Sequence, residues 1–92
     1  MFFGEFPPKD AKVATLDKFA FTASENTVAE SLKVWVNAKP VAITTQKELS
    51  GRVHVEAKLD PPITQDKAWI KVTADSDDGC DQLQTWNVYL GQ

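Results

Sequence analysis

The stretch Arg52–Leu59, RVHVEAKL, decides the fold, because apolar and polar residues alternate through it without a break. Successive side chains of a β-strand point to opposite faces of a sheet, so an uninterrupted alternation gives one buried (dry) face and one solvent-exposed (wet) face. The stretch is therefore predicted to be a half-buried strand. Its dry-face residues are Val53, Val55, Ala57 and Leu59, and its wet-face residues are Arg52, His54, Glu56 and Lys58.

Working outward from this strand, segments of similar character recur along the chain. Strands are predicted at 12–22, 41–45, 67–74 and 85–90. Within the first, the apolar parity shifts near Asp17, which indicates a bulge or a bend. Thr45 and Glu48 have the spacing of a capping box and Gly51 follows, so 45–51 is expected to form a turn or a single helical turn. Asp60-Pro61-Pro62 is expected to end the central strand.

The segment from Thr27 to Ala38 fits two hydrophobic periodicities, that of a helix and that of a strand. Thr27 and Glu30 have the capping-box spacing, and an apolar stripe at helical spacing follows them. The Val-Trp-Val sequence at 34–36, in contrast, alternates and is rich in β-branched and aromatic residues. We favour a strand, with a helix as the alternative.

These segments predict an all-β fold, a single small antiparallel β-sandwich of about immunoglobulin size, since short strands are separated by turn residues at regular spacing. The alternative is an α+β fold in which one helix near 27–37 packs on a four- or five-stranded antiparallel sheet. Residues 1–10 are predicted to form an apolar, proline-containing N-terminal arm, and 11–92 a single β domain. A chain of 92 residues leaves no room for a second core.

Composition and charge narrow the function classes. The net charge is −3 and the sequence pI about 5.0, with basic residues scattered singly along the chain. A nucleic-acid partner is therefore not expected, because phosphate neutralisation requires a basic patch. No membrane span or signal peptide is recognised in the sequence. The single cysteine excludes an intrachain disulfide and favours synthesis in the cytoplasm, which leaves open a place in an assembled particle.

No residue pattern predicts catalysis or a cofactor. His54, the single histidine, falls on the wet face of its strand, and Cys80 lies among carboxylates that disfavour the reactive thiolate. The acidic loop at 75–81 offers oxygen ligands, but its spacing does not match the calcium loop of an EF-hand. No metal site is assigned, and a calcium site in this loop is left open. The acidic residues of the loop are Asp75, Asp77, Asp78 and Asp81.

Aromatic residues supply the candidate contact surfaces. Three of them fall on wet faces of predicted strands, where large rings are typical of interfaces. The prolines of the N-terminal arm favour an extended segment that either packs on its own domain or docks on a neighbouring subunit. The interface candidates are Phe2, Phe3, Phe6, Trp35, Trp69 and Tyr89.

The sequence thus predicts a non-enzymatic structural or interaction protein, such as a virion or particle decoration protein. The expected partner is another protein or a second copy of the chain, with a homo-oligomer as one outcome. The alternatives are a carbohydrate- or ligand-binding module that uses exposed aromatic rings, and a small acidic protein inhibitor.

Overall fold

The central strand extends beyond its predicted end. In a computed structural model, which describes residues 1–91, it runs from Val53 to Ile63. Pro61 and Pro62 are accommodated because the register with the neighbouring strand jumps between Lys58 and Ile63, so the two prolines have no partner in that ladder. The expectation that Asp60-Pro61-Pro62 ends the strand is wrong for this reason.

Within the described residues the chain forms nine strands and one short 3₁₀ helix, Ala29–Ser31. The strands are β1 (Phe2–Phe6), β2 (Lys12–Val13), β3 (Leu16–Ala23), β4 (Lys33–Val36), β5 (Lys39–Pro40), β6 (Ile43–Lys47), β7 (Val53–Ile63), β8 (Asp66–Asp75) and β9 (Asp81–Leu90).

The strands form two sheets, which confirms the predicted β-sandwich. The first has the order β1-β3-β7-β6 and the second the order β2-β9-β8-β4-β5. Neighbouring strands are antiparallel except for β2 and β9, which run parallel. No described helix is long and apolar enough to cross a membrane.

The ambiguous segment forms a strand. Lys33–Val36 is β4, paired with β8, and only Ala29–Ser31 before it is helical. The helical alternative fails because Val34 and Val36 both reach the core, which the two-residue period of a strand allows. Of the turn or single helical turn expected at 45–51, a turn is present at 48–51, where the Gly51 N–H donates to the Glu48 carbonyl at 2.9 Å, and Thr45 lies inside β6.

The bulge expected near Asp17 is present, because the pairing of β3 with β7 shifts between Leu16 and Lys18. The predicted strand at 12–22 is in fact two strands. Lys12–Val13 pairs with β9 in the second sheet, and Leu16–Ala23 pairs with β7 in the first. The N-terminal part of the chain therefore contributes to both sheets.

The core lies between the sheets and is built from the dry faces that the alternation predicted. At its centre Phe21 is fully buried and makes edge-to-face contacts with Phe2 and Trp86, whose ring centroids lie 5.8 and 5.9 Å away. Phe2 belongs to β1, an outer strand of the first sheet, and Trp86 to β9 of the second sheet. These three rings thus join the first strand and both sheets into one core.

Candidate functional site

The three outward aromatic residues of the second sheet lie on adjacent strands. Trp35 is on β4, Trp69 on β8 and Tyr89 on β9, and all have the parity opposite to that of their buried neighbours. Trp35 pairs with Lys71, two residues along β8 from Trp69. Such diagonal neighbours lie about 7–8 Å apart. The two tryptophans are therefore close together on the outer surface of the sheet.

Lysines alternate with these rings. Lys67 pairs with Tyr89, and Lys12 pairs with the same tyrosine from the other side. Lys71 places its Nζ 5.2 Å from the centre of the Trp35 ring, a cation–π contact. We call this surface the lysine–aromatic face. Its members are Lys12, Lys33, Trp35, Lys67, Trp69, Lys71 and Tyr89.

None of the lysines of this face makes an ion pair with a described carboxylate. Within residues 1–91 the ion pairs are Lys9 with Glu5 and Arg52 with Glu25, and neither involves the face. Along β8 and β9, carboxylates on this side of the sheet occur only at one end, where Asp75 pairs with Asp81. Lysines therefore outnumber carboxylates at the outward positions of these strands, and the acidic end of the face is where Glu30, Asp75 and Asp81 line one cavity with Lys33.

Asn37 fixes the edge of this face. Its φ of +51° lies in the left-handed region that asparagine tolerates. The side-chain Oδ1 accepts a hydrogen bond from the Trp69 backbone N–H at 2.8 Å, and Nδ2 donates to the Lys67 carbonyl at 3.2 Å. The turn after β4 is thereby attached to β8 beside Trp69.

The predicted N-terminal arm lies against its own domain, with Phe2–Phe6 forming β1 along β3. Phe2 is only 4% exposed and contributes to the core, so it is not available as an interface residue. Phe3 is half-buried with the Arg52 guanidinium 5.1 Å from its ring centre, whereas Phe6 is 73% exposed. Of the three phenylalanines, Phe6 remains the exposed candidate.

The acidic loop is shorter than predicted, because Asp75 and Asp81 are the paired ends of β8 and β9. The turn between them is organised by Ser76, whose hydroxyl donates to Asp78 Oδ1 and accepts from the Cys80 backbone N–H at 3.2 Å. The Ser76 hydrogen bond and a second one from the Cys80 backbone hold the pKa of Asp78 below its usual range. Asp78 is thus held as a carboxylate.

Cys80 is exposed at this turn, directly beside Asp78. The negative charge of Asp78 and a hydrogen bond to it raise the pKa of the Cys80 thiol, and Asp81 adds to the effect. The thiol therefore keeps its proton to a higher pH than an ordinary cysteine does.

The other soft donor and the single imidazole are Met1 and His54. His54 lies in β7 on the outer side of the first sheet, paired with Thr22 and Gln46. Met1 precedes β1, where its amino group donates to Ser24 Oγ at 2.9 Å. No group of three or more His, Cys, Asp or Glu residues within 1–91 is arranged to hold a metal ion.

Comparison with known proteins identifies the fold but not a family. No known protein family and no curated protein sequence matches this chain. Its fold is similar to that of PcoC, a copper resistance protein from Escherichia coli. The selenomethionine structure of PcoC has a TM-score of 0.68 and 17% identity, over 98% of each chain. A second structure, described as a methionine-rich copper resistance protein, has the same score and identity over 95% of this chain and 93% of the other.

This finding contradicts the predicted function. Both of the structures described above are of the copper resistance protein PcoC, so the expectation of a structural protein that decorates a virion or particle is wrong, and we do not retain it or its alternatives. At 17% identity the similarity establishes the fold and not a shared activity. The sequence pattern could not reveal this relationship, because it reports which side chains are buried, and many proteins of different function share that pattern.

Sequence reasoning found the outward aromatic residues but missed the clustering of the lysines. Lys33 and Lys71 are far apart in sequence, and only the pairing of β4 with β8 brings them onto one surface. A sequence signal was present, since Lys67 and Lys71 flank Trp69 at alternate positions. The missing information was which strands are neighbours.

Proposed function

We propose that this chain is a non-enzymatic metal-handling protein, with copper as its first candidate ion. The observation that carries the proposal is the similarity of the fold to copper resistance proteins over nearly the whole of both chains. Because a fold alone does not determine function, the proposal depends on the donors that this chain itself offers.

The metal-binding side chains of this chain favour an open site, in which some coordination positions of the ion are left free, over a closed site that the chain fills alone. One of the similar structures is described as methionine-rich, whereas this chain has a single methionine, a single histidine and a single cysteine. The donor that suits a soft ion is the Cys80 thiolate, with the Asp78 carboxylate beside it. A thiolate and a carboxylate leave the remaining coordination positions of an ion free for ligands from elsewhere. Such a site suits an ion that is received and passed on, as cargo.

The absence of catalysis is part of the proposal. His54 is on the first sheet and Cys80 at the end of the second, so the two residues do not form a nucleophile–base pair. This arrangement supports a binding role.

The experiment is a competition titration of the reduced chain with Cu(I) against a chromophoric chelator. The Cys80→Ser variant is expected to weaken binding by about tenfold or more, because it removes the only thiolate. Asp78→Asn is expected to weaken it less, and His54→Gln, on the other sheet, serves as the matched control. Equal affinity in the native chain and in Cys80→Ser, or no binding by the native chain, would refute the proposal.

The pH dependence provides a second readout. A metal ion must displace the thiol proton, whose pKa is raised by Asp78. Binding should therefore tighten as the pH rises, with about one proton released per ion. Tightening that persists in Cys80→Ser would show that another group is the ligand.

A further inference from the structure

The lysine–aromatic face has no role in the proposed metal handling, and its composition points to a second ligand. Lys12, Lys33, Lys67 and Lys71 are separated by Trp35, Trp69 and Tyr89 across strands β2, β9, β8 and β4. Among the described residues none of these lysines has a carboxylate within ion-pair distance. We propose that this face binds single-stranded nucleic acid, with bases stacked on the rings and phosphates held by the lysines.

The alternation of charge and ring suits this ligand. Single strands expose the flat faces of their bases, and each base stacked on an aromatic side chain contributes about 1–3 kcal/mol. A sheet carrying rings on neighbouring strands is a stacking platform of the kind that sheet-based RNA-binding modules use. Trp69 is the best placed of the rings, since 39% of its surface is exposed and Lys67 and Lys71 flank it on the same side of β8.

The distribution of charge confines the proposed nucleic-acid binding to this face. The whole chain is acidic, and Asp75 and Asp81 lie at one end of the face. Attraction for a polyanion is therefore confined to the lysines and ends at the turn between β8 and β9. The prediction from sequence against nucleic acid assumed that basic residues stay scattered, but the pairing of β4 with β8 places Lys33 and Lys71 on one surface.

An acidic peptide is the competing ligand. Its carboxylates would pair with the lysines but would make no stacking contact with the two tryptophans and the tyrosine between them. The rings therefore favour nucleic acid. The two ligands differ in a measurable way, because bases stacked on Trp35 and Trp69 quench their fluorescence strongly, whereas a peptide of aspartate and glutamate has no group that stacks on the rings. Trp86 is 4% exposed in the core and contributes a constant background.

The binding measurement uses the full chain and a labelled single-stranded oligonucleotide of about twelve nucleotides, followed by fluorescence anisotropy at low salt. Four lysines neutralise at most four phosphates, so the slope of log K against log salt is expected to be no steeper than about −3 for a single strand. Quenching of tryptophan fluorescence should accompany binding.

Paired variants test the location. Replacing both Lys67 and Lys71 by Gln should weaken binding about tenfold or more and reduce the salt slope by about 1.4, at 0.7 per lost phosphate contact. The matched control replaces Lys18 and Lys58, a cross-strand pair of the first sheet, with Gln and should leave affinity and slope unchanged. Trp69→Ala should weaken binding by about 5- to 150-fold at an unchanged salt slope.

Three results would overturn the proposal. The first is no binding at low salt, and the second is equal loss in the face and control variants. The third is binding of polyglutamate in place of the oligonucleotide, which would assign the face to an acidic protein. Circular dichroism of each variant verifies that the sandwich is intact, and the lysine variants keep the test decisive if Trp69→Ala fails to fold.

Discussion

The Phe2→Ala substitution tests whether β1 is part of the core. Phe2 is 4% exposed and meets Phe21 edge to face at 5.8 Å, with the ring planes at 85°. Truncating a buried phenylalanine to alanine costs about 3–5 kcal/mol, of which the aromatic pair accounts for about 0.5–1.5 kcal/mol. Because β1 is an outer strand with one neighbour, we expect a loss near the lower limit, about 3 kcal/mol.

Urea unfolding monitored by tryptophan fluorescence and by far-ultraviolet circular dichroism measures this loss. In a domain of this size about 3 kcal/mol corresponds to a decrease in Tm of about 12–24 °C. The matched control is Phe6→Ala, from the same strand but 73% exposed, which should change the free energy of unfolding by less than about 0.5 kcal/mol.

A double-mutant cycle with Phe21→Leu separates the ring contact from general packing. A coupling of about 0.5–1.5 kcal/mol is expected between the two positions. If Phe2→Ala were as mild as Phe6→Ala, β1 would be a loosely attached arm, and the reasoning from burial would be refuted.

Two further predictions concern the ends of β8. Asn37→Gly keeps the positive φ but removes two hydrogen bonds to β8, so the free energy of unfolding should fall by about 1–2 kcal/mol. Asn37→Ala should lose about 1 kcal/mol more, because alanine is strained at that φ. If thermal unfolding showed equal losses of stability in the two variants, the positive φ of residue 37 would not be the source of the difference. Asp78→Asn should accelerate alkylation of Cys80 by iodoacetamide at mildly alkaline pH several-fold, because losing the carboxylate lowers the raised pKa of the thiol and increases its thiolate fraction. Asp17→Asn, on β3, is the control, and an unchanged rate in Asp78→Asn would mean that the carboxylate does not control the thiol.

The same pKa shift sets the direction of a stability effect. The raised pKa means that the folded chain retains the Cys80 proton at a pH where the unfolded chain has lost it. The contribution of Cys80 to folding stability is fully present below the ordinary thiol pKa. It is lost as the pH rises through the pKa of the thiol in the folded chain. Asp78 behaves in the opposite sense, since its lowered pKa makes a contribution that is lost only as the pH falls into the acid range.

Strand faces were predictable from sequence because they depend on local alternation. The strands at Arg52–Leu59 and 67–74 and the bulge at Asp17 were all located correctly. The extension of β7 past Pro61 was not, because tolerance of a proline depends on a register jump in the neighbouring strand.

The candidate sites were predictable only in part, for the same reason. Parity showed that Trp35 and Trp69 face outward, but strand order decides that Trp35 lies beside Lys71. The contact of Cys80 with Asp78 is local in sequence, and the acidic surroundings of the thiol were recognised for that reason. Similarity of the whole fold to copper resistance proteins left no local signal at 17% identity.

The parallel pairing of β2 with β9 has a consequence for how the chain folds. β2 is made before β3 to β8, yet its only neighbour among the described strands is β9, the last of them, and almost the entire sandwich lies between the two in sequence. During synthesis the second sheet therefore cannot be completed until Leu90 has left the ribosome. This last pairing should form slowly, as is usual where pairing joins distant segments. Until then the side of β9 that later pairs with β2 is an open sheet edge, which is the point at which a newly made chain is most exposed to aggregation.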